Sequence, residues 1–486
     1  MHDKYFDHEQ RGEFRGDFSR DTYDLRNHFT RVLMQQGRVQ LDADWNEQVS
    51  ILLRYLRALA EDLIGPHGGP KHNCGFEIIP SSTNDFNIGR GHYYVNGILG
   101  ENEEQLPYTA QWDYPLPDDK KLQNDQTYLV YLDVWERHIT YIQDDSIREV
   151  ALGGPDTATR AKLVWQVKTY PLDNVINCDN VPWDELLKKR QPENRGKLKA
   201  RAKLTEDIDS TDPCITPPEA RYRGAENQLY RVEIHRSGNV CDGDESNKAA
   251  AATFKWSREN GSVIFPIRSM AITTDTTTVT LEHLGRDSRF SLQEGDWVEI
   301  VDDDYVLQGR DESLLKVSSV DRVKMQVTLE GTPGSQVGQD PTKHPLLRRW
   351  DHKAGDPSGG GLELHDGAAI IKKGLDDNAW LYLEDGVQIQ FHSGAVYCTG
   401  DYWLIPSRTA TGDVEWPNEK DNQGNLIPEA LPPHGVIHHY APLAIISVTD
   451  GNVDLLNDCR CRFNPLCFRP FYGYGLGSIG IGAHLI

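Results

Sequence analysis

Tyr128-Leu129-Val130-Tyr131-Leu132-Asp133-Val134-Trp135 is a run of aromatic, β-branched and leucine side chains interrupted by one carboxylate. Such residues favour the packed surface of a sheet, and a run apolar at nearly every position predicts a strand covered on both faces. Leu163-Val164-Trp165-Gln166-Val167 predicts a second strand. Upstream, Phe86, Ile88, Tyr93, Tyr94, Val95, Ile98 and Leu99 lie among Gly89, Gly91, Gly97 and Gly100, the pattern of a hairpin with glycine turns. Downstream, Leu229-Tyr230-Arg231-Val232-Glu233-Ile234-His235 alternates, which predicts a strand with one wet face. Phe254 to Arg258 and Ser262 to Phe265 flank Asn260-Gly261, a strong hairpin signal.

Residues 277–281, 297–301 and 325–329 continue the β pattern, and Gly295-Asp296-Trp297-Val298-Glu299-Ile300 reads as the opening of a small barrel-like module. Gly331 to Gly361 has the Pro/Gly-rich composition of a loop or linker. Strands are expected again at 381–384, 387–391, 401–405 and 440–448, the last followed by an Asp450-Gly451 turn. The predicted fold class is therefore mainly β (α+β) and multidomain, with several small antiparallel β-domains. One long N-terminal helix stands apart. Trp45, Val49, Leu52, Leu53, Leu56, Leu59, Ala60 and Leu63 recur at helical spacing, Asp44 is placed to cap them, and Gly65-Pro66 ends the run. A shorter helix is expected over 183–189. These shifts divide the chain into an arm and amphipathic helix (1–68), a first β-rich domain (69–245), a small barrel-like domain (246–345) and a C-terminal β domain with a Gly/aromatic tail (346–486).

The 486 residues, 38% of them hydrophobic, suffice for a sizeable core. Seventy-four acidic against 51 basic residues leave a net charge of -23, which excludes wholesale wrapping of nucleic acid and argues against an anionic membrane surface. No run of about 18 apolar residues predicts a membrane span, and Met1 to Gln10 lacks the basic and apolar regions of a signal peptide. Eight cysteines, none in a CxxC pair, are too sparse for a disulfide scaffold, so reduced thiols are expected. Residues 188–203 form a basic island whose plain reading is a solvated loop; the sharper one is a docking patch made by Lys197, Lys199 and Arg201.

Catalytic and metal signatures are weak. Gly475, Gly477 and Gly480 match a dinucleotide glycine pattern, but six residues remain after it, too few for the helix it needs. Cys459, Cys461 and Cys467 lack paired zinc-ligand spacing and read as structural thiols. Asp302-Asp303-Asp304 and Asp376-Asp377 read as solvated turn acids. Glu384 and Asp385, adjacent on an expected strand, point to opposite faces and cannot flank one bond. The tryptophans at 135, 165, 256, 297, 380 and 403 read as core.

Five stretches together carry a resemblance. They are Gly16-Asp-Phe-Ser-Arg-Asp-Thr-Tyr-Asp24, Arg31-Val-Leu-Met-Gln-Gln-Gly-Arg-Val-Gln-Leu-Asp-Ala-Asp-Trp-Asn-Glu47, Ala151-Leu-Gly-Gly-Pro-Asp-Thr-Ala-Thr-Arg160, Asn227-Gln-Leu-Tyr-Arg-Val-Glu-Ile-His235 and Gly400-Asp-Tyr-Trp-Leu-Ile-Pro-Ser-Arg-Thr-Ala-Thr-Gly-Asp-Val-Glu-Trp416. From about Gly16 to Leu466 the chain resembles an uncharacterised domain family encoded with phage-tail-like contractile injection systems. The resemblance implies a structural part near the baseplate, such as a cage, collar or baseplate extension, and brings no catalytic site with it. The expected role is thus non-enzymatic assembly, without cofactor. Expected partners are baseplate or sheath components and copies of the chain itself, with no nucleic acid and no membrane insertion. Assembly is expected in the bacterial cytoplasm, with release or membrane anchoring of the particle left open. A fibre-like module binding carbohydrate or a cell surface is the alternative, and a particle-borne cell-wall hydrolase a third. The helix stripe reads either as part of the core or as a face packed on a partner. The residues expected to meet partners are Trp45, Val49, Leu52 and Leu56 on the helix, Lys197, Lys199 and Arg201 on the basic island, and Tyr472, Tyr474, Ile479 and Ile481 in the tail.

Overall fold

The computed structural model describes residues 12–81, 84–114, 116, 120–154, 156–173, 177–192, 195–203, 221–240, 250–357, 360–372, 380–392 and 396–464. The strand opened by the 128–135 run extends over Gln126–Ile139. It is one of two inner strands of a four-stranded antiparallel sheet, between the other, His439–Thr449, and the edge strand Arg160–Leu172, with Asn452–Asp458 at the far edge. Both of its faces are covered. Tyr128, Val130, Leu132 and Val134 pack with Phe76, Phe86, Tyr93 and Ile446. On the other side Leu129 and Tyr131 meet Leu186 and Trp183 of the short helix Trp183–Arg190. The expected glycine hairpin is present too: Gly91–Val95 pairs with Ile98–Asn102 through Asn96-Gly97, both at positive φ.

Trp297–Val301 does belong to a barrel. Six strands close it, in the order 264–272, 276–281, 326–330, 315–321, 297–301 and 346–350, around Phe265, Val279, Val298, Val317, Leu329 and Leu347. The sixth strand, Leu346–Trp350, falls inside the stretch expected as a loop over 331–361. Its Leu-Leu-Arg-Arg-Trp sequence, short and flanked by Pro and Gly, hides the alternation of a strand. The Asn260-Gly261 turn forms, with φ of 52° and 69°, but its flanking strands do not make a hairpin. Thr253–Ser257 pairs with Gln228–Arg236, while Ile264–Ile272 enters the barrel.

A six-stranded antiparallel sheet has Gln228–Arg236 near its middle, flanked by Thr253–Ser257 and Tyr402–Arg408. One face, with Tyr230, Val232, Ile234, Phe254, Trp256 and Trp403, is an apolar core. The face expected to be wet is not: Arg231, Glu233 and His235 are buried, since the barrel and residues 12–16 lie over them. The short strand after the long helix, His67–Pro70, runs parallel to Arg462–Phe463 near the end of the described residues.

Three smaller expectations are corrected. Cys178 and Cys459 form a disulfide, because the segment that carries the helix 183–190 and the end of the strand 452–458 are brought side by side on the long-stranded sheet. The pair is therefore not reduced, and Cys459 is not available to a metal. Glu384 and Asp385 lie in the turn before Val387–Phe391, where Glu384 accepts from Tyr230 Oη at 3.1 Å and pairs with Arg258. Asp302 is not a solvated turn acid. It is buried, caps the helix Asp303–Gln308 by accepting from Tyr305 N at 2.8 Å, and accepts from Gly338 N. Asp376 and Asp377 lie outside the described residues. Among the described residues no helix is long and apolar enough to cross a membrane.

The disulfide closes a loop of 281 residues in the unfolded chain. Cys178→Ser should lower unfolding free energy by about 2–4 kcal/mol, read by urea unfolding without reductant; an unchanged midpoint and slope would remove the disulfide from the stability of the fold.

Candidate functional site

The long helix, α1, spans Asp42–Ile64. It starts two residues before the expected cap, with Leu41 at the boundary and Asp44 reaching back to the Leu41 N–H at 3.2 Å. Its inward face is short of large apolar side chains. Ala43 and Ile51 are buried, Arg57 pairs with Glu136 at 3.0 Å, and Asn96 donates to Glu61. The Asn96-Gly97 turn fits closely there: a Cβ on Gly97 would lie 2.1 Å from the Arg57 carbonyl oxygen. Residues 19–32 add polar contacts along the helix, from Ser19 to Asp42, Thr22 to Glu47 and Val32 N to Gln48.

The apolar stripe points the other way. Trp45, Val49, Leu52, Leu56, Leu59 and Leu63 are between 39% and 64% exposed. They follow one another in alternating steps of four and three residues, the spacing that presents a straight seam to another helix. Flanking the seam are Asn46, Gln48, Leu53, Tyr55, Ala60 and Asp62, with a single charge among them. Phe29, Leu33, Met34 and Val39, in the segment before the helix, are exposed as well. Contiguous apolar surface of this kind on a folded chain marks an interaction site. The structure thus brings the four expected helix residues into one outward patch.

The other expected contacts fare differently. Lys199 and Arg201 are on a strand, Leu198–Ala202, not in a solvated loop. Arg201 stacks 4.0 Å from the Trp380 ring centroid and donates to Gln388, and Lys199 faces Glu419 at 3.8 Å. Lys197 is exposed just before the strand. The island's basic residues are thus partly used inside the fold. Tyr472, Tyr474, Ile479 and Ile481 lie outside the described residues.

A second polar assembly escaped the sequence. Glu233 lies at the meeting of the N-terminal arm, the six-stranded sheet and the barrel. It receives Arg15 at 3.0 Å, Arg231 at 2.6 Å and Lys255 at 3.5 Å. Lys255 also reaches Glu299 of the barrel at 2.7 Å, and Glu299 accepts from Tyr305 Oη and Trp350 Nε1. Arg15 pairs with Glu13, and Phe14 O accepts from Arg231. The Arg231 guanidinium also lies 3.5 Å from the Tyr402 ring centroid. Burial alone raises a carboxylate's pKa, but Arg15, Arg231 and Lys255 outweigh it and hold Glu233 well below the ordinary range. Glu299 is drawn down to about 2 against burial by Lys255 and Arg348. Burial pushes the imidazoles of His138 and His235 down to about 3 and that of His352 to about 4, so all three are neutral at pH 7.

Beside this assembly is a cavity of about 330 Å³, whose wall includes Arg15, Lys255, Arg348, His235, Arg190 and Asp133. Asp133, the carboxylate inside the 128–135 run, pairs with Lys168 at 2.6 Å and His438 at 2.7 Å. Among the described residues no group of three or more His, Cys, Asp or Glu is placed to hold a metal ion.

The fold and site define a multidomain β protein with an outward-facing apolar helix and a buried ionic junction. The chain belongs to a family of unknown function, DUF6519, whose model matches residues 14–181 and 172–473. No curated protein and no solved structure matches it.

Two outcomes follow from the junction. Glu233→Ala leaves three buried cations short of their shared carboxylate and should cost about 3–5 kcal/mol; a loss below 1 kcal/mol in chemical unfolding would contradict the described pairing. The three buried histidines titrate near 6.5 once unfolded. Their contribution is complete above pH 6.5 and is lost as pH falls towards 3 to 4, by roughly 1 kcal/mol per histidine per pH unit. Chemical unfolding at pH 7, 5.5 and 4.5 checks this, and a flat profile would count against it.

Proposed function

We propose that this chain is a structural assembly component of a phage-tail-like contractile injection system. It would dock at or around the baseplate through protein–protein contacts. The observation that carries the reading is the outward seam of α1, which presents Trp45, Val49, Leu52, Leu56, Leu59 and Leu63 to solvent. Each such side chain contributes about 1.5–3 kcal/mol when it leaves water, so a helix with all six exposed gains most by acquiring a partner. The spacing selects a second helix, since side chains in steps of four and three fit the holes of a helix with the same repeat.

The occupant we propose is α1 of another copy of this chain. Two copies of a molecule with net charge -23 repel one another over most of their surface. Along the seam and its flanks only Asp62 is charged, so this is where copies approach most cheaply. Self-association by one repeated patch gives closed, symmetric assemblies, the arrangement a cage, collar or baseplate extension needs. The role is mechanical: apolar surfaces buried between neighbours hold the assembly together. The resemblance in sequence supports the particle, and the helix supports the mode of contact.

The test is to lyse cells that encode the chain, sediment high-mass particles through a density gradient, and compare wild type with Leu52→Glu/Leu56→Glu. The wild-type chain should travel with sheath and tube proteins. The double variant should move to light fractions with an unchanged far-UV circular dichroism spectrum. A wild-type chain confined to light fractions would overturn the particle assignment, and a variant that still co-sediments would overturn the helix contact.

A further inference from the structure

We infer that the cavity between the N-terminal arm, the six-stranded sheet and the barrel is a binding site for a small molecule bearing an oxyanion, a phosphate or a carboxylate, received by Arg348 and His235.

In an acidic chain, the wall of this cavity is basic: seven cationic side chains face five carboxylates. Five of the seven cations have carboxylate partners. Arg15 has Glu13 and Glu233, and Lys255 has Glu233 and Glu299. Lys168 has Asp133, Arg195 has Asp401, and Arg310 has Asp302 and Glu312. The remaining two are Arg348 and Arg190. Arg190 donates to the Tyr131 hydroxyl at 3.3 Å. Arg348, from the barrel strand Leu346–Trp350, is attracted by Glu299, Glu233 and Glu13 but has none of them in ion-pair contact among the described residues, and its Nε has no hydrogen-bond partner. It borders both this cavity and a smaller one of about 20 Å³. Asp302, on the wall of that smaller cavity, is already used by the cap of the helix 303–308, by Gly338 N and by Arg310.

A guanidinium withdrawn from bulk water, with carboxylates near it but none in direct contact, gains from an anion that reaches its free N–H groups. The second observation is independent of charge. His235 is 1% exposed and borders the same cavity, and neither of its ring nitrogens has a hydrogen-bond partner. A buried imidazole gains from a partner, and a neutral one donates through one nitrogen while accepting at the other. Arginine's planar fork matches two oxygens of a carboxylate or phosphate. A water needs roughly 10–15 Å³ of such space, so a cavity of about 330 Å³ has room for an organic molecule around the oxyanion. Trp135, Tyr440 and Leu307 supply apolar wall for that part.

The test is thermal unfolding of the full chain with inorganic phosphate or succinate, each titrated through the low millimolar range at constant ionic strength held with potassium chloride. The wild type should show a saturable rise in Tm with at least one of the two probes, and the more effective probe tells phosphate from carboxylate. Arg348→Gln should weaken that response at least tenfold. Should Arg348→Gln fail to fold by circular dichroism, Arg190→Gln, at the other cation of this cavity without a carboxylate in contact, should still weaken the response. No saturable shift in the wild type with either probe would overturn the site, and so would an equal response in wild type and the folded variant. Particle assembly can fail without affecting this result, since the readout needs only the purified chain.

Discussion

One buried carboxylate connects three parts of this molecule. Glu233 accepts from Arg15 of the N-terminal arm and from Arg231 of its own strand, and pairs with Lys255 of the neighbouring strand. Lys255 in turn reaches Glu299 of the barrel. Charges withdrawn from water must be matched nearly completely, since a single unmet partner leaves an uncompensated ion in a weakly screening interior. That requirement makes the arm, the sheet and the barrel mutually dependent. The arm cannot leave without exposing Glu233 and Arg231, and the barrel cannot swing away without stranding Lys255. The junction is a geometric lock more than a source of net stability, because apolar residues of the same shape could serve stability equally well.

How far the sequence reveals this depends on what a pattern encodes. The run at 128–135 and the Asn96-Gly97 and Asp450-Gly451 turns are local, and local chemistry makes them legible. The barrel strand Trp297–Val301 is legible for the same reason, although it is not the opening one: the barrel begins at Ile264–Ile272. The alternation at 229–235 is different. It states that Arg231, Glu233 and His235 share a face, and that statement is the same whether the face meets water or a buried set of opposite charges. What decides is Arg15, 218 residues away in sequence from Glu233, and Glu299 across a sheet-to-barrel boundary. The Asn260-Gly261 turn shows the same limit, because a turn type says where the chain reverses and not which sheet each arm joins. The Cys178–Cys459 pair needs a contact across 281 residues that cysteine spacing does not contain.

The long helix carries a related ambiguity with more consequence. An amphipathic pattern fixes two faces but not which one turns inward. Here the polar face packs on the fold, through Arg57 with Glu136 and Glu61 with Asn96, and the leucine seam is left outside. The usual assignment of apolar to inside is reversed, and the reversal is what makes α1 a contact surface. The basic island went the other way: Arg201 and Lys199, read as candidates for a partner, are partly occupied by Trp380, Gln388 and Glu419.

The central claim is that α1 joins copies of this chain through its outward seam. Its most direct test is the molar mass of the purified full chain by light scattering, from low to tens of micromolar. If the seam joins copies, the mass is an integral multiple of the single-chain mass and falls on dilution. A single-chain mass across the whole range would contradict it.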